Sequence, residues 1–218
     1  MDTEKSADNV ASKQIVIGGK GKAPGKLDEP QGAAVSAENE YSQDGHPVTT
    51  IDVKRIDYYP KIAVDTQNNK TIVLASNRIF MFQPDGSFDG SFGKEEGVQM
   101  KHVTSDKDGN VLITDPFKSN VHVYNHSGHP LLSFRTVSRV GHGEGDPRGI
   151  CTDSMGHIIV ADSANGRVDM FTSRGEFIRT IVTIKSPQGL ALGPDGDLVV
   201  TNVNDDIVTI FPSKMLHQ

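Results

Sequence analysis

The same trio of short strands recurs four times in this chain, and that repetition limits its possible folds more than any other feature. The clearest copy is residues 146–171, DPRGICTDSMGHIIVADSANGRVDMF. Ile150, Cys151 and Thr152 make a short apolar strand. Asp153-Ser154-Met155-Gly156 places Asp and Gly at the two ends of a tight turn, where each is favoured. Ile158, Ile159 and Val160 form a second strand. Residues 162–166 are a polar loop, and residues 168–171 a third strand. Three such strands cannot bury both faces of their own sheet, so they require neighbours of the same build.

Three further copies supply them. Residues 60–65 lead through 71–75 to 77–82, residues 103–106 through 111–115 to 120–124, and residues 187–192 through 198–201 to 206–211. The turn positions Asp65, Asp106, Asp153 and Gly193 lie 41, 47 and 40 residues apart. A period of this length with several strands per unit is the mark of propeller blades. Helical repeats of similar length need a 3.6-residue apolar period, which is missing here.

These residues resemble the NHL repeat. Pro147-Arg148-Gly149-Ile150-Cys151-Thr152-Asp153, then Ala161-Asp162, then Asn165-Gly166-Arg167-Val168-Asp169-Met170-Phe171 follow its pattern closely, and Pro187-Gln188-Gly189-Leu190-Ala191-Leu192 repeats its start. The resemblance covers roughly residues 14–212. It implies an all-β, NHL-type β-propeller. Because the motif residues are structural, it indicates fold more than function.

Taken in order, residues 1–13 are polar and read as a tail or linker remnant. Gln14-Ile15-Val16-Ile17 is a short strand ahead of a Gly-rich loop. In the other repeats an outer strand follows the third: residues 88–92, 131–134 and 177–182. The last repeat stops at Phe211-Pro212 without one, so residues 14–17 are expected to complete it and close the ring. The first repeat is irregular. Residues 33–36, 48–53 and 55–59 offer three strands, and the interval from Ser36 to Asp65 is only 29 residues. The expected count is four clear blades and one degenerate blade, or six if a segment has been lost. The propeller is expected over residues 14–212, with residues 213–218 as a C-terminal tail.

Length suffices for one domain with a real core. The single cysteine, Cys151, excludes a disulfide framework and the zinc modules of a ubiquitin ligase within this sequence. It reads as a buried, small apolar residue. No apolar leader or long apolar run appears, so the chain is expected in the cytoplasm.

Candidate chemistry meets plainer explanations. His122 and His126 share a strand face about 13 Å apart, too far to hold one ion, so these histidines and His129 read as exposed and non-metal. Asp65, Asp106 and Asp153 resemble the channel carboxylates of propeller lactonases only in number; Gly109 and Gly156 follow two of them by three residues, as in tight turns. No catalytic residue, metal site or cofactor is expected. Some NHL propellers bind single-stranded RNA. The loops gathered on one face here hold nine cations against ten acids, Asp115, Glu144, Asp146 and Asp162 among the latter, and Phe117 as their one aromatic. Phosphate neutralisation and stacking platforms are both wanting.

The resemblance extends to propellers that end tripartite-motif (RING, B-box, coiled-coil) ubiquitin ligases, and it implies substrate recruitment. The expected function is non-catalytic recognition of protein partners, by a monomeric domain, through the loop face around Phe117, Lys118, Arg139, His142, Arg148 and Asn165. RNA binding and a metal-dependent lyase or lactonase are the alternatives. For Phe117 two roles stand: an anchor for a partner, or an aromatic folded back over the blade.

Overall fold

The structure, a computed structural model, describes residues 60–93, 97–136, 144–202 and 207–217. Fifteen strands in these residues form four antiparallel sheets. The first contains β1 (Lys61–Asp65), β2 (Lys70–Ala75), β3 (Arg78–Phe82) and β4 (Phe88–Gly93). The second contains β5 (Val103–Ser105), β6 (Val111–Asp115), β7 (Asn120–Tyr124) and β8 (Pro130–Arg135). The third contains β9 (Pro147–Thr152), β10 (Ile158–Asp162), β11 (Arg167–Phe171) and β12 (Phe177–Thr183). The fourth has β13 (Pro187–Leu192), β14 (Leu198–Asn202) and β15 (Ile207–Phe211). Each is a meander of consecutive strands, and the four are blades of a β-propeller. The irregular stretch at 33–59 and the strand expected at 14–17 lie outside the described residues.

Blades stack face to face, which explains their second strands. Every residue of β6 and of β10 is buried, although strands usually alternate. A blade held between two neighbours has no solvent face, so both sets of alternating side chains are apolar. Val111 and Ile113 enter the core shared with the first blade, while Leu112 enters the core shared with the third. Ile158 and Val160 join Leu112, and Ile159 faces the fourth blade with Leu198 and Val200. Hydroxyls stitch the inner strands together: Ser105 Oγ donates to Val64 O at 2.8 Å and Thr152 Oγ1 to Ser105 O at 2.9 Å.

The residues read as a C-terminal tail pack on the last blades. Ser213–Leu216 form a 3-10 turn, Leu216 is buried in the core between the last two blades, and Ser213 N donates to Asp197 Oδ1 at 2.9 Å. The segment is ordered because Leu216 covers apolar surface that a propeller ending at Pro212 would leave wet.

β15 is the edge of its sheet among the described residues, with Ile207, Val208 and Ile210 at 51%, 61% and 64% exposure. An apolar edge of this kind calls for a covering strand. The expected outcome is that removing residues 1–18 lowers the melting temperature well below that left by removing residues 1–12. Equal melting temperatures would rule out ring closure by residues 14–17.

Candidate recognition face

In a four-stranded meander the loops between second and third strands fall at the same end of the blades as the connections from one blade to the next. The loop after β6 is held from within. Asp115, fully buried, accepts from Phe117 N at 3.1 Å and Lys118 N at 3.3 Å. Ser119, with φ of 54°, donates its hydroxyl to Gly145 O at 2.6 Å, and its carbonyl accepts from Thr136 N at 2.9 Å. On this fixed loop the Phe117 side chain is 74% exposed, so of its two roles the fold-back over the blade is not adopted. Lys118 is also exposed.

The other expected residues divide. Arg148 shares the face, with its Nε 2.7 Å from Asp146 Oδ1. Arg139 and His142 lie outside the described residues. Asn165 is committed elsewhere: its Nδ2 donates to Asp162 Oδ2 at 2.7 Å and its backbone N to Asp162 Oδ1 at 3.2 Å. It is a loop brace, because the buried Asp162 draws every donor within reach.

The same burial alters the charge of the face. Asp115 and Asp162, two of its ten acids in sequence, are 0% exposed, and each turns an oxygen to backbone N–H groups of its own loop. Basic residues gather instead at the channel mouth, where the inner strands begin. Lys61 opens β1, Lys101 and His102 precede β5, and Arg148 lies on β9. Burial, then Lys61, Lys101 and Arg148 in turn, push the His102 pKa down to about 3, so its imidazole is neutral at pH 7. Burial and the nearby Lys101 also lower Lys61. Sequence reading passed over Lys61 and His102; the signal was their replacement of the glycine that the repeat start carries at Gly149 and Gly189.

At the opposite end the recurring acids serve turns. Asp106 Oδ1 accepts from Asp108 N and Asn110 N, both at 2.9 Å, and Asp153 Oδ1 from Met155 N at 3.0 Å and His157 N at 2.8 Å. The remaining Asp153 oxygen lies 2.8 Å from His157 Nδ1. Asp153→Ala should therefore cost about 2 kcal/mol, and Gly156→Val, at φ of 86°, about 1–3 kcal/mol of backbone strain. Thermal melts with and without calcium test this. A calcium-dependent rise that Asp153→Ala abolishes would restore the lactonase-like alternative.

On the side of these turns, a cavity of about 440 Å³ lies between the inner strands, walled by Ile62, Val64, Thr104, Thr152, Ala191 and Leu192 among others. Cys151, on this wall, is 8% exposed, and burial followed by Asp153 pushes its thiol up to about 12, so it is an inert apolar filler. Among the described residues no three His, Cys, Asp or Glu side chains converge as metal ligands. His126 and His129 are exposed, but the His122 side chain is only 13% exposed and sits 3.6 Å from Asp115. It was expected outside; the inward-facing position on β7 places it under the loop.

Comparison with known proteins bears on this arrangement. The NHL repeat model matches residues 145–169. NHL-repeat-containing protein 4 of Mus musculus is 33% identical over 105 residues, which are 48% of this chain and 75% of that protein. The chain belongs to the NHL-repeat family. Protein lin-41 of Caenorhabditis elegans is 44% identical over 52 residues, 22% of this chain but 4% of that protein. Among solved structures a streptogramin B lyase superposes with a TM-score of 0.56 at 16% identity, over 74% of this chain and 57% of the lyase. That likeness speaks for the propeller fold alone, and this NHL-repeat chain spans little more than half the lyase's length. Among the described residues no helix is long and apolar enough to cross a membrane.

Proposed function

We propose that this NHL propeller is a non-catalytic recognition module that binds a protein partner through its loop face. Its role would be substrate recognition in a tripartite-motif-type ubiquitin ligase system of the cytoplasm, acting as a monomeric domain. The observation that carries this reading is Phe117: a large aromatic side chain, 74% exposed, on a loop whose backbone is fixed by Asp115 and Ser119. An exposed aromatic gains nothing from folding, and fixing its loop in advance removes most of the ordering entropy that binding would cost. The resemblance to tripartite-motif propellers supplies the ligase context. The lyase or lactonase alternative loses support because Asp106 and Asp153 spend their carboxylates on turn N–H groups.

The test is Phe117→Ala combined with Arg148→Ala, measured by capture of partners and by thermal melting. Partner binding should fall while melting is nearly unchanged, since Phe117 is solvent-exposed. Retained binding by the folded double variant would place recognition elsewhere.

A further inference from the structure

The inner strands β1, β5, β9 and β13 run side by side around the channel, all starting at the loop face. Counting back from their turn positions brings equivalent residues together at the mouth. The two slots hold Pro60 and Lys61, Lys101 and His102, Arg148 and Gly149, and Gln188 and Gly189. Three cations and no acid occupy them. Their placement is built in: Lys101 N donates to Thr114 O at 2.9 Å, His102 N to Thr114 Oγ1 at 3.1 Å, and Thr114 Oγ1 to Arg148 O at 2.8 Å. The fully buried Thr114 thus joins the mouth residues of two blades. Among the described residues, Asp146 pairs with Arg148 at this mouth. Lys118 adds an exposed cation on the neighbouring loop.

Resting on the recognition reading above, we propose that the channel mouth seats an acidic, extended segment of the protein partner. Its carboxylates would meet Lys61, Lys101 and Arg148, and an adjacent apolar side chain would meet Phe117. The spacing suits a peptide. The Phe117 loop lies one to two strand spacings outward from β5, at about 4.8 Å each, and an extended chain advances about 3.3 Å per residue, so acid and apolar residue stand about two to three positions apart. A nucleic acid would share the charge but needs several stacking surfaces, and Phe117 is the exposed aromatic of this face among the described residues.

The test is selection from a random peptide phage library on the full chain, followed by anisotropy titration of labelled selected peptides and of a twelve-nucleotide oligouridylate. Selected peptides should be acidic with a nearby apolar residue. Lys101→Glu should weaken them by about tenfold and added salt should weaken them too, whereas Lys101→Arg should not. Lys101 is exposed, so the variants should melt like the parent. Neutral or basic selected peptides, or acidic ones indifferent to Lys101→Glu, would overturn the acidic partner; if those peptides still required Phe117, the recognition reading would stand. Peptides indifferent to both residues would overturn both. Oligouridylate bound more tightly than every peptide, and weakened by Lys101→Glu, would overturn the peptide in favour of nucleic acid.

Discussion

Arg167→Ala is expected to lower the unfolding free energy by about 3–5 kcal/mol, because it leaves two buried carboxylates without their shared cation. Arg167 Nε donates to Asp169 Oδ2 at 2.7 Å and its Nη2 to Asp162 Oδ2 at 3.3 Å. The guanidinium is nearly buried, and Asp162 and Asp169 are 0% and 1% exposed. Burial already raises the Asp169 carboxyl above the usual range, and Thr180 and Arg167 pull it back. Without Arg167 the group should rise further. An acid whose folded-state pKa exceeds its unfolded value loses stability as pH rises between the two. The deficit of the variant should therefore be smaller at mildly acidic pH than at neutral pH, which an apolar cavity would not produce. Urea unfolding at two pH values reads both effects, and a loss below about 1 kcal/mol at neutral pH would show that the triad contributes little. The preceding blade is the internal control. It holds Asn120, His122 and Ser133 in the matching places, joined by an Asn120 Nδ2 bond to Ser133 Oγ at 3.2 Å. Asn120→Ala should cost under about 1 kcal/mol.

Gly149→Val is expected to cost about 3 kcal/mol, through contact between blades. A Cβ at Gly149 would lie 2.5 Å from Gln188 O, 2.7 Å from Leu190 N and 2.9 Å from Gly189 C. All three are backbone atoms of β13, which no rotamer change moves aside. Relief requires the third and fourth blades to separate, opening the core around Cys151, Leu198 and Val200. At Gly156, by contrast, the nearest atom is the end of the Lys107 chain at 3.3 Å, so the strain there is torsional only. Differential scanning calorimetry compares the two. A Gly149→Val protein melting within about 1 °C of the parent would mean that the blades do not approach as described.

The third blade was the most legible part of the sequence. Its strands β9, β10 and β11 contain the apolar runs, though β9 begins three residues earlier, at Pro147, and β10 ends two later, at Asp162. The turn roles of Asp106 and Asp153 were legible as well, because an Asp and a Gly three residues on describe a local hydrogen-bond pattern that depends on nothing distant. Phe117 could be singled out by its loop but not assigned a side. Whether it turns outward depends on Ser119, Thr136 and Gly145 bracing the loop from another segment. Asn165 could be read only as a polar loop residue; that its side chain braces its own loop through Asp162 is seen in the structure.

The sequence by itself determined the blade. Period, strand composition and turn chemistry are properties of contiguous residues, and they survive any arrangement of the blades. Only the tertiary structure decided the character of the loop face. Counted along the chain the face is neutral, but two of its acids, Asp115 and Asp162, are turned inward to hold backbone N–H groups. Lys61, Lys101 and Arg148, separated by 40 and 47 residues, are gathered where three inner strands begin. Charge acts through space and is weighted by burial. Neither the separations nor the burial exist until the blades pack against one another.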